Sequence, residues 1–337
     1  MATPQTALIP QNTSTLPALR LPVTEAVKEL LSASKRPNTL AAYRFDWASF
    51  QKWCELVGDQ SLPALPETLA EYIAAKRSEL QPSTLQRHMA SIAQAHRLAG
   101  YQSPTESELV RTALQGLRAL SVTAYKAPQK GRKSKAPALT AEAMRETLSR
   151  LPADLAGVRD RALLLVGYKT AARRSELSAL QWWQVEWQSE GVLLKFQASK
   201  TDKTYTGQQV ALVREGGLYC PVGALEAWRE WCLGAGLDAK QLEAGAVFRG
   251  ITKHLKISEK LSAHAIGEIV KARTSGAGLA GITAHSLRRG HLTEGIKQGK
   301  TEADLMKTSR HRSVAVFRSY VEEADHFAEL QVKGCCE

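Results

Sequence analysis

Four stretches of the chain carry side chains whose types and spacing could perform phosphoryl chemistry. Arg173 and Glu176 stand three apart within residues 170–180, and His285 and Arg288 stand three apart near a helix start. His311 precedes Tyr320 by nine residues, and Lys200 lies in the polar turn Ser199-Lys200-Thr201-Asp202-Lys203-Thr204. A guanidinium grips phosphate bidentately and stays protonated. A tyrosine, with an ordinary pKa of about 10, becomes a nucleophile where a cationic pocket or a base takes its proton. Histidine can accept that proton, and lysine can donate one to a leaving alkoxide. Each piece alone has a plainer reading. Arg-x-x-Glu at a helix start is a surface ion pair worth about 0.5 kcal/mol, and a helical tyrosine packs its ring.

Other routes to phosphoryl chemistry find no support. Gly216-Gly217 lacks the strand–Gly-x-Gly-x-x-Gly–helix setting of a dinucleotide site, and no GxxxxGK[ST] loop is present. No HExxH or similar clustering marks a metal site. Neither metal nor cofactor is therefore expected. His264 and His291 match no pattern and read as ordinary residues.

The elements that must position these groups fall into two blocks, as expected for 337 residues. Residues 23–125 read as helices only. Tyr43, Phe50 and Trp53 share one apolar face of a helix capped by Asn38 or Thr39, and a second helix runs over 67–79. A third opens at Pro82, with Leu85, Met89, Ile92 and Ala95 inward and Gln86, Arg87, Gln94 and Arg97 outward; a fourth follows Ser103-Pro104-Thr105. Residues 137–337 read as helices over 140–148, 155–168, 221–233, 262–275, 285–298, 301–308 and 313–330. One hairpin, 191–198 with 207–213, interrupts them. Trp182, Trp183 and Trp187 beside it read as core. The fold class is mainly α: an N-terminal helical bundle, then a mixed α/β domain with a small antiparallel sheet.

Composition narrows the partner. Forty-five basic against 33 acidic residues leave a net charge of +12, and five of the twelve excess charges lie in residues 126–135. That run (Lys126, Lys130, Arg132, Lys133, Lys135) has no apolar periodicity and reads as a linker, expected to lie along nucleic-acid phosphates. The longest apolar run, 162–166, is far short of a membrane span, and the Thr/Pro/Gln-rich residues 1–22 read as a loose tail with no secretory pattern. Five cysteines with no CxxC pair suit a reducing compartment, so a cytoplasmic protein is expected.

Taken in order, the four stretches resemble the signature of the tyrosine recombinases, the phage-integrase family that includes the Cre- and Xer-type site-specific recombinases. Thr170-Ala171-Ala172-Arg173-Arg174-Ser175-Glu176-Leu177 resembles the family's Thr-Gly-x-Arg-x-Ser-Glu-Leu box, His285-Ser286-Leu287-Arg288 its His-x-x-Arg box, and His311 with Tyr320 its last box. The Thr39-Tyr43-Asp46-Phe50-Trp53 helix and the Pro-Ser-Thr helix start resemble its SAM-like core-binding domain, so the likeness runs from about residue 23 onward.

The resemblance implies a C-shaped DNA clamp: tail 1–22, core-binding domain 23–125, linker 126–136 and catalytic domain 137–337. Arg173 and Arg288 would hold the phosphate, Glu176 orient Arg173, and Tyr320 attack to give a 3′-phosphotyrosine. His285 and His311 would manage proton and phosphate, with Lys200 (rival Lys203) as general acid. DNA contacts are expected from the five linker residues and Arg87, and a homotetramer on two duplexes of a specific site, a dimer on each, is implied. A type IB topoisomerase or telomere resolvase, or a DNA binder that does not cleave, are the competing readings. Two departures stand out: Arg310 and Ala171 occupy positions where the family commonly has glycine, which bears on loop geometry.

Overall fold

A computed structural model describes residues 37–124, 136–196, 207–311, 313–315, 317, 318 and 320. These fall into two compact units, one within 1–133 and one within 134–337. The tail, the linker lysines and arginine, Lys200, Lys203 and residues 321–337 lie outside the described residues.

The N-terminal unit packs helices α1 (Pro37–Val57), α2 (Pro66–Lys76), α3 (Pro82–Leu98) and α4 (Glu108–Ala124), with a 3-10 turn at Pro104–Glu106. Proline opens α2 and α3 within the first turn, where its missing N–H is no loss. Phe50, Leu69, Tyr72, Leu85, Ile92 and Val110 form the core. Two expectations are corrected. The first helix is already helical at Pro37, ahead of the expected cap, and the inward face of α3 takes His88 and His96 where Ala95 was expected. The histidines are tolerated because they are bonded. His96 donates from Nδ1 to the Ile92 carbonyl (2.9 Å) and accepts the Ala64 amide at Nε2 (2.9 Å).

Asp46, on the helix face read as apolar, is wholly buried. Arg87 Nε and Nη2 reach it at 2.7 and 2.9 Å, and His88 Nε2 lies 3.1 Å away. Arg87, expected to contact DNA, places its guanidinium on Asp46, because a buried carboxylate needs its charge met, and stays nearly half exposed. Tyr72 completes the network by donating to His88 Nδ1 at 2.8 Å.

The C-terminal unit begins with α5 (Ala141–Ser149), α6 (Leu155–Lys169) and the one-turn-and-a-half α7 (Arg174–Ala179). A three-stranded antiparallel sheet follows: β1 (Val185–Gln188), β2 (Gly191–Phe196) and β3 (Gln208–Val213), in the order β1-β2-β3, with Leu194 opposite both Val185 and Val210. Then come α8 (Pro221–Gly234), α9 (Ala239–Glu243), a ribbon of β4 (Arg249–Ile251) and β5 (Ile257–Lys260), α10 (Ala263–Gly276), α11 (Ala284–Lys297) and α12 (Glu302–Ser309). Residues 314, 315, 317, 318 and 320 are again helical.

Helix α6 carries the apolar run 162–166 through the middle of the core, packed between α8 and α11. Side chains of Thr140, Asp154, Ser262 and Thr301 cap α5, α6, α10 and α12. The expectation of one hairpin is corrected by β1 and by the β4–β5 ribbon. These strands are three or four residues long and mostly exposed, so they carry little alternation. The tryptophan reading also divides. Trp182 is buried, whereas Trp183 and Trp187 are 61% and 39% exposed.

Candidate active site

Three helix ends of the C-terminal unit converge. The turn between α6 and α7 supplies Ala171, Arg173 and Glu176; the start of α11 supplies His285 and Arg288; the end of α12 supplies Ser309, Arg310 and His311. Tyr320 arrives on the following helical segment, seated against Leu292, Leu305 and Phe317.

Arg173 caps α7, where Glu176 accepts both its backbone amide (2.9 Å) and its Nη1 (2.6 Å). The pair thus fixes the helix start as well as the guanidinium. Arg173 stays 37% exposed, while Glu176 is largely buried. On α11, Thr283 caps the helix, and the three-residue spacing puts His285 and Arg288 on one face. Gly290 lets the helix press against the preceding segment: a Cβ there would lie 1.9 Å from the Leu139 carbonyl oxygen. That segment is held by the Leu139 amide on the Ser286 carbonyl (3.0 Å) and by Arg289 on the Ala136 carbonyl.

Arg288 is almost wholly buried. It donates from Nη1 to the Ala171 carbonyl (2.7 Å) and from Nη2 to His311 Nε2 (3.0 Å). The second contact fixes the histidine tautomer. Nε2 must accept, so Nδ1 carries the proton and donates to Ser309 Oγ (2.8 Å), which donates to the Leu305 carbonyl (2.6 Å). His285 Nε2 lies 2.9 Å from the Tyr320 hydroxyl, and the Tyr320 ring centre is 5.2 Å from that of His311.

The electrostatics share one direction. Burial, then Arg173, pull the Arg288 guanidinium down to about 9 against the opposing pull of Glu176. Burial and then Arg288 lower His285, and burial with Arg288 and Arg173 drives His311 down to about 3. Burial would raise Glu176, but Arg310, the Arg173 amide and the Arg173 guanidinium outweigh it and hold the carboxyl below its usual value. With both histidines neutral, three guanidiniums (Arg173, Arg288, Arg310) face one carboxylate, which leaves two positive charges in the pocket. A pocket of that kind is preorganised for an anion, and a neutral His285 beside Tyr320 can take its proton.

Six expected residues (Arg173, Glu176, His285, Arg288, His311, Tyr320) therefore meet in one place, Arg87 lies in the other unit, and Lys200 and the linker residues fall outside the described residues. Sequence reasoning missed Arg310, Ser309 and the Ala171 carbonyl. Both departures from glycine keep the turn that glycine would make. Ala171 has φ 49° and Arg310 φ 59°, ψ 39°, left-handed values that cost a non-glycine residue about 1–2 kcal/mol. Among the described residues, no group of three or more His, Cys, Asp or Glu side chains is placed to hold a metal ion, and no helix is long and apolar enough to cross a membrane.

Known proteins share this fold and, by sequence, identify the class to which it belongs. The solved XerH site-specific recombinase bound to palindromic difH substrate, a post-cleavage complex, shares the fold with a TM-score of 0.57 at 17% identity, covering 87% of this chain and 79% of that one. A lambda integrase (75–356) dimer bound to a COC′ core site shares it with a TM-score of 0.54 at 15% identity, covering 92% and 96%. The phage integrase family model matches residues 137–326. An integrase/recombinase xerD homolog of Selenomonas ruminantium is 32% identical over 320 residues, covering 90% of this chain and 86% of that protein. The chain belongs to the phage integrase family, the tyrosine site-specific recombinases.

Proposed function

We propose that this protein recombines DNA at a specific site by cleaving and rejoining strands through a 3′-phosphotyrosine, with no metal or nucleotide in the chemical step. The observation that carries this reading is the Tyr320 hydroxyl 2.9 Å from a neutral His285, in a pocket whose arginines outnumber its carboxylate. Tyr320 loses its proton to His285 and attacks the scissile phosphorus; the P–O5′ bond breaks, and Lys200 protonates the departing 5′-oxygen. Arg173 and Arg288 neutralise the non-bridging oxygens, the task that a metal performs in other phosphoryl transfers. His311 joins them once phosphate displaces its bond to Arg288 and a proton taken up at Nε2 lets the ring donate. The ester energy is kept in the phosphotyrosine, so a 5′-hydroxyl from the partner duplex reverses the step and yields a Holliday junction.

Two duplexes each cut on both strands need four active sites, hence a tetramer, a dimer on each duplex. In this reading residues 23–125 are the core-binding domain and 137–337 the catalytic domain of an enzyme working in the cytoplasm. The linker residues Lys126, Lys130, Arg132, Lys133 and Lys135 add sequence-independent phosphate contacts, whose removal would flatten the salt dependence of binding.

The test starts by recovering DNA covalently bound to the protein in cells, sequencing it, and building the duplex. In EDTA and without nucleotide, that duplex is expected to give a covalent adduct and strand exchange with a second copy. A strict Mg²⁺ requirement for cleavage would contradict the mechanism, and relaxation without exchange would favour the topoisomerase-like reading.

A further inference from the structure

Arg310 is a residue that the chemistry above does not use. Its guanidinium is buried beside the reacting groups, which is costly unless every charge and donor is met. Nη1 donates to the Thr170 and Thr308 carbonyls (3.0 and 2.8 Å), and Nη2 donates to Glu176 Oε2 (2.8 Å). The guanidinium carbon lies 4.3 Å from the ring centre of Phe196, the last described residue before the turn that carries Lys200. Nε finds no partner among the described residues, and the backbone is left-handed at φ 59°. Glycine would fill this turn without strain and without a buried charge. A side chain held against both penalties points to a function.

We propose that Arg310 is a positioning residue for the strand-cleavage step: it takes one oxygen of Glu176 so that Arg173 stays aimed at phosphate, and it joins the His311 turn to the end of β2. Glu176 divides its two oxygens. Oε1 holds Arg173 Nη1, and Oε2 holds the Arg173 amide and Arg310 Nη2. Without Arg310 the carboxylate would be free to swing wholly onto Arg173, cancel its charge and turn it from the phosphate. The same side chain reaches back to Thr170, next to the Ala171 carbonyl that anchors Arg288. One guanidinium thus touches the first box, the last box and the strand that leads to the proposed general acid.

This inference rests on the recombinase reading, so adduct formation by the unaltered protein is its control. The experiment measures single-turnover adduct formation on the recovered duplex, carrying a nick that traps the product, across pH for Arg310→Gly, Arg310→Lys, Glu176→Gln and the double variant Glu176→Gln/Arg310→Gly. Arg310→Gly should fold and bind DNA, yet form adduct about 10²-fold more slowly, the loss expected from misplacing a reacting group by about 1 Å. The groups facing Glu176 are Arg173 and its amide on α7, Arg310 after α12 and Arg288 on α11. Removing Arg310 deletes the strongest influence that lowers the carboxyl, so the acid limb of the rate profile should move to higher pH. Arg310→Lys, which keeps the charge, should recover part of the rate and leave that limb near its original place. In the Glu176→Gln background the glycine change should add little.

An unaltered rate and acid limb in Arg310→Gly would overturn the proposal, as would full additivity with Glu176→Gln. Failure of both Arg310 variants to fold would also overturn it, leaving a purely structural role. No adduct from the unaltered protein would instead sink the functional reading itself.

Discussion

Each unit buries a carboxylate against arginine, and they resolve its charge in opposite ways. In the N-terminal bundle Asp46 meets the guanidinium of Arg87, and burial keeps His88 neutral between Asp46 and Tyr72. Charge is matched there, and donors find acceptors. In the C-terminal unit Glu176 meets Arg173 and Arg310 with Arg288 close by, and two positive charges remain. The first network holds helices together. The second keeps a surplus of positive charge that an anion would match, and its residues bond one another, as Arg288 does with His311. Unmatched charge, more than burial, separates a site from a staple.

The sharpest way to break this contrast is to remove one of the surplus cations. Arg288→Gln should lower the adduct-forming rate by about 10²–10³-fold, the cost of deleting a preorganised charge donor, while affinity for intact DNA changes little. Single-turnover kinetics beside equilibrium binding check it; equal losses in both would make Arg288 a binding residue only.

The opposite pattern is expected in the bundle. Asp46→Ala should destabilise the protein by about 3 kcal/mol, the low end for breaking a buried pair, because Arg87 is nearly half exposed and can turn to water. Chemical denaturation reads this. A drop in the chemical step, at saturating DNA and under conditions where the variant is folded, would show that Asp46 does more than hold the helices.

The smallest expected effect is a difference in pH response. His311 stays neutral in the folded protein down to about pH 3, while an unfolded histidine protonates near 6.5. The unfolded chain therefore binds more protons below about 6.5. Stability contributed by neutral His311 is fully present above that pH and is lost as pH falls toward 3. His311→Gln should make stability less steep over this window. Because the depression comes partly from Arg288 and Arg173, inorganic phosphate in the pocket should raise the His311 pKa and leave that of His88 unmoved. NMR titration of the two rings tests this, and equal shifts would contradict the contrast.

How much of this was legible in the sequence follows from range. Helices over 140–148, 155–168, 262–275 and 301–308 were legible because their pattern is local, and the structure shows Thr140, Asp154, Ser262 and Thr301 capping them within three residues. Arg173, Glu176, His285, Arg288, His311 and Tyr320 were legible as three spaced boxes, and the structure brings them together. Arg310 was not, since one sequence shows it only as a missing glycine; its meaning lies in Glu176, 134 positions away, and in the Phe196 ring. Asp46 was legible as a position in the helix pattern, but its burial was not, for a similar reason. A polar residue on an apolar face reads as a break until Arg87 and His88 are seen to meet it. Strands β1, β4 and β5 were too short and too exposed to alternate, and Trp183 and Trp187 show that aromatic type alone does not settle burial.

The most direct test of the central claim, that Tyr320 beside His285 in a cationic pocket attacks DNA, is to locate the covalent bond. The adduct formed in EDTA on the recovered duplex would be digested with protease and nuclease and the modified peptide sequenced by mass spectrometry. A nucleotide 3′-phosphate on Tyr320 is predicted, with no adduct from Tyr320→Phe although that variant still binds the duplex. An adduct on any other residue, or one formed by the phenylalanine variant, would contradict the claim.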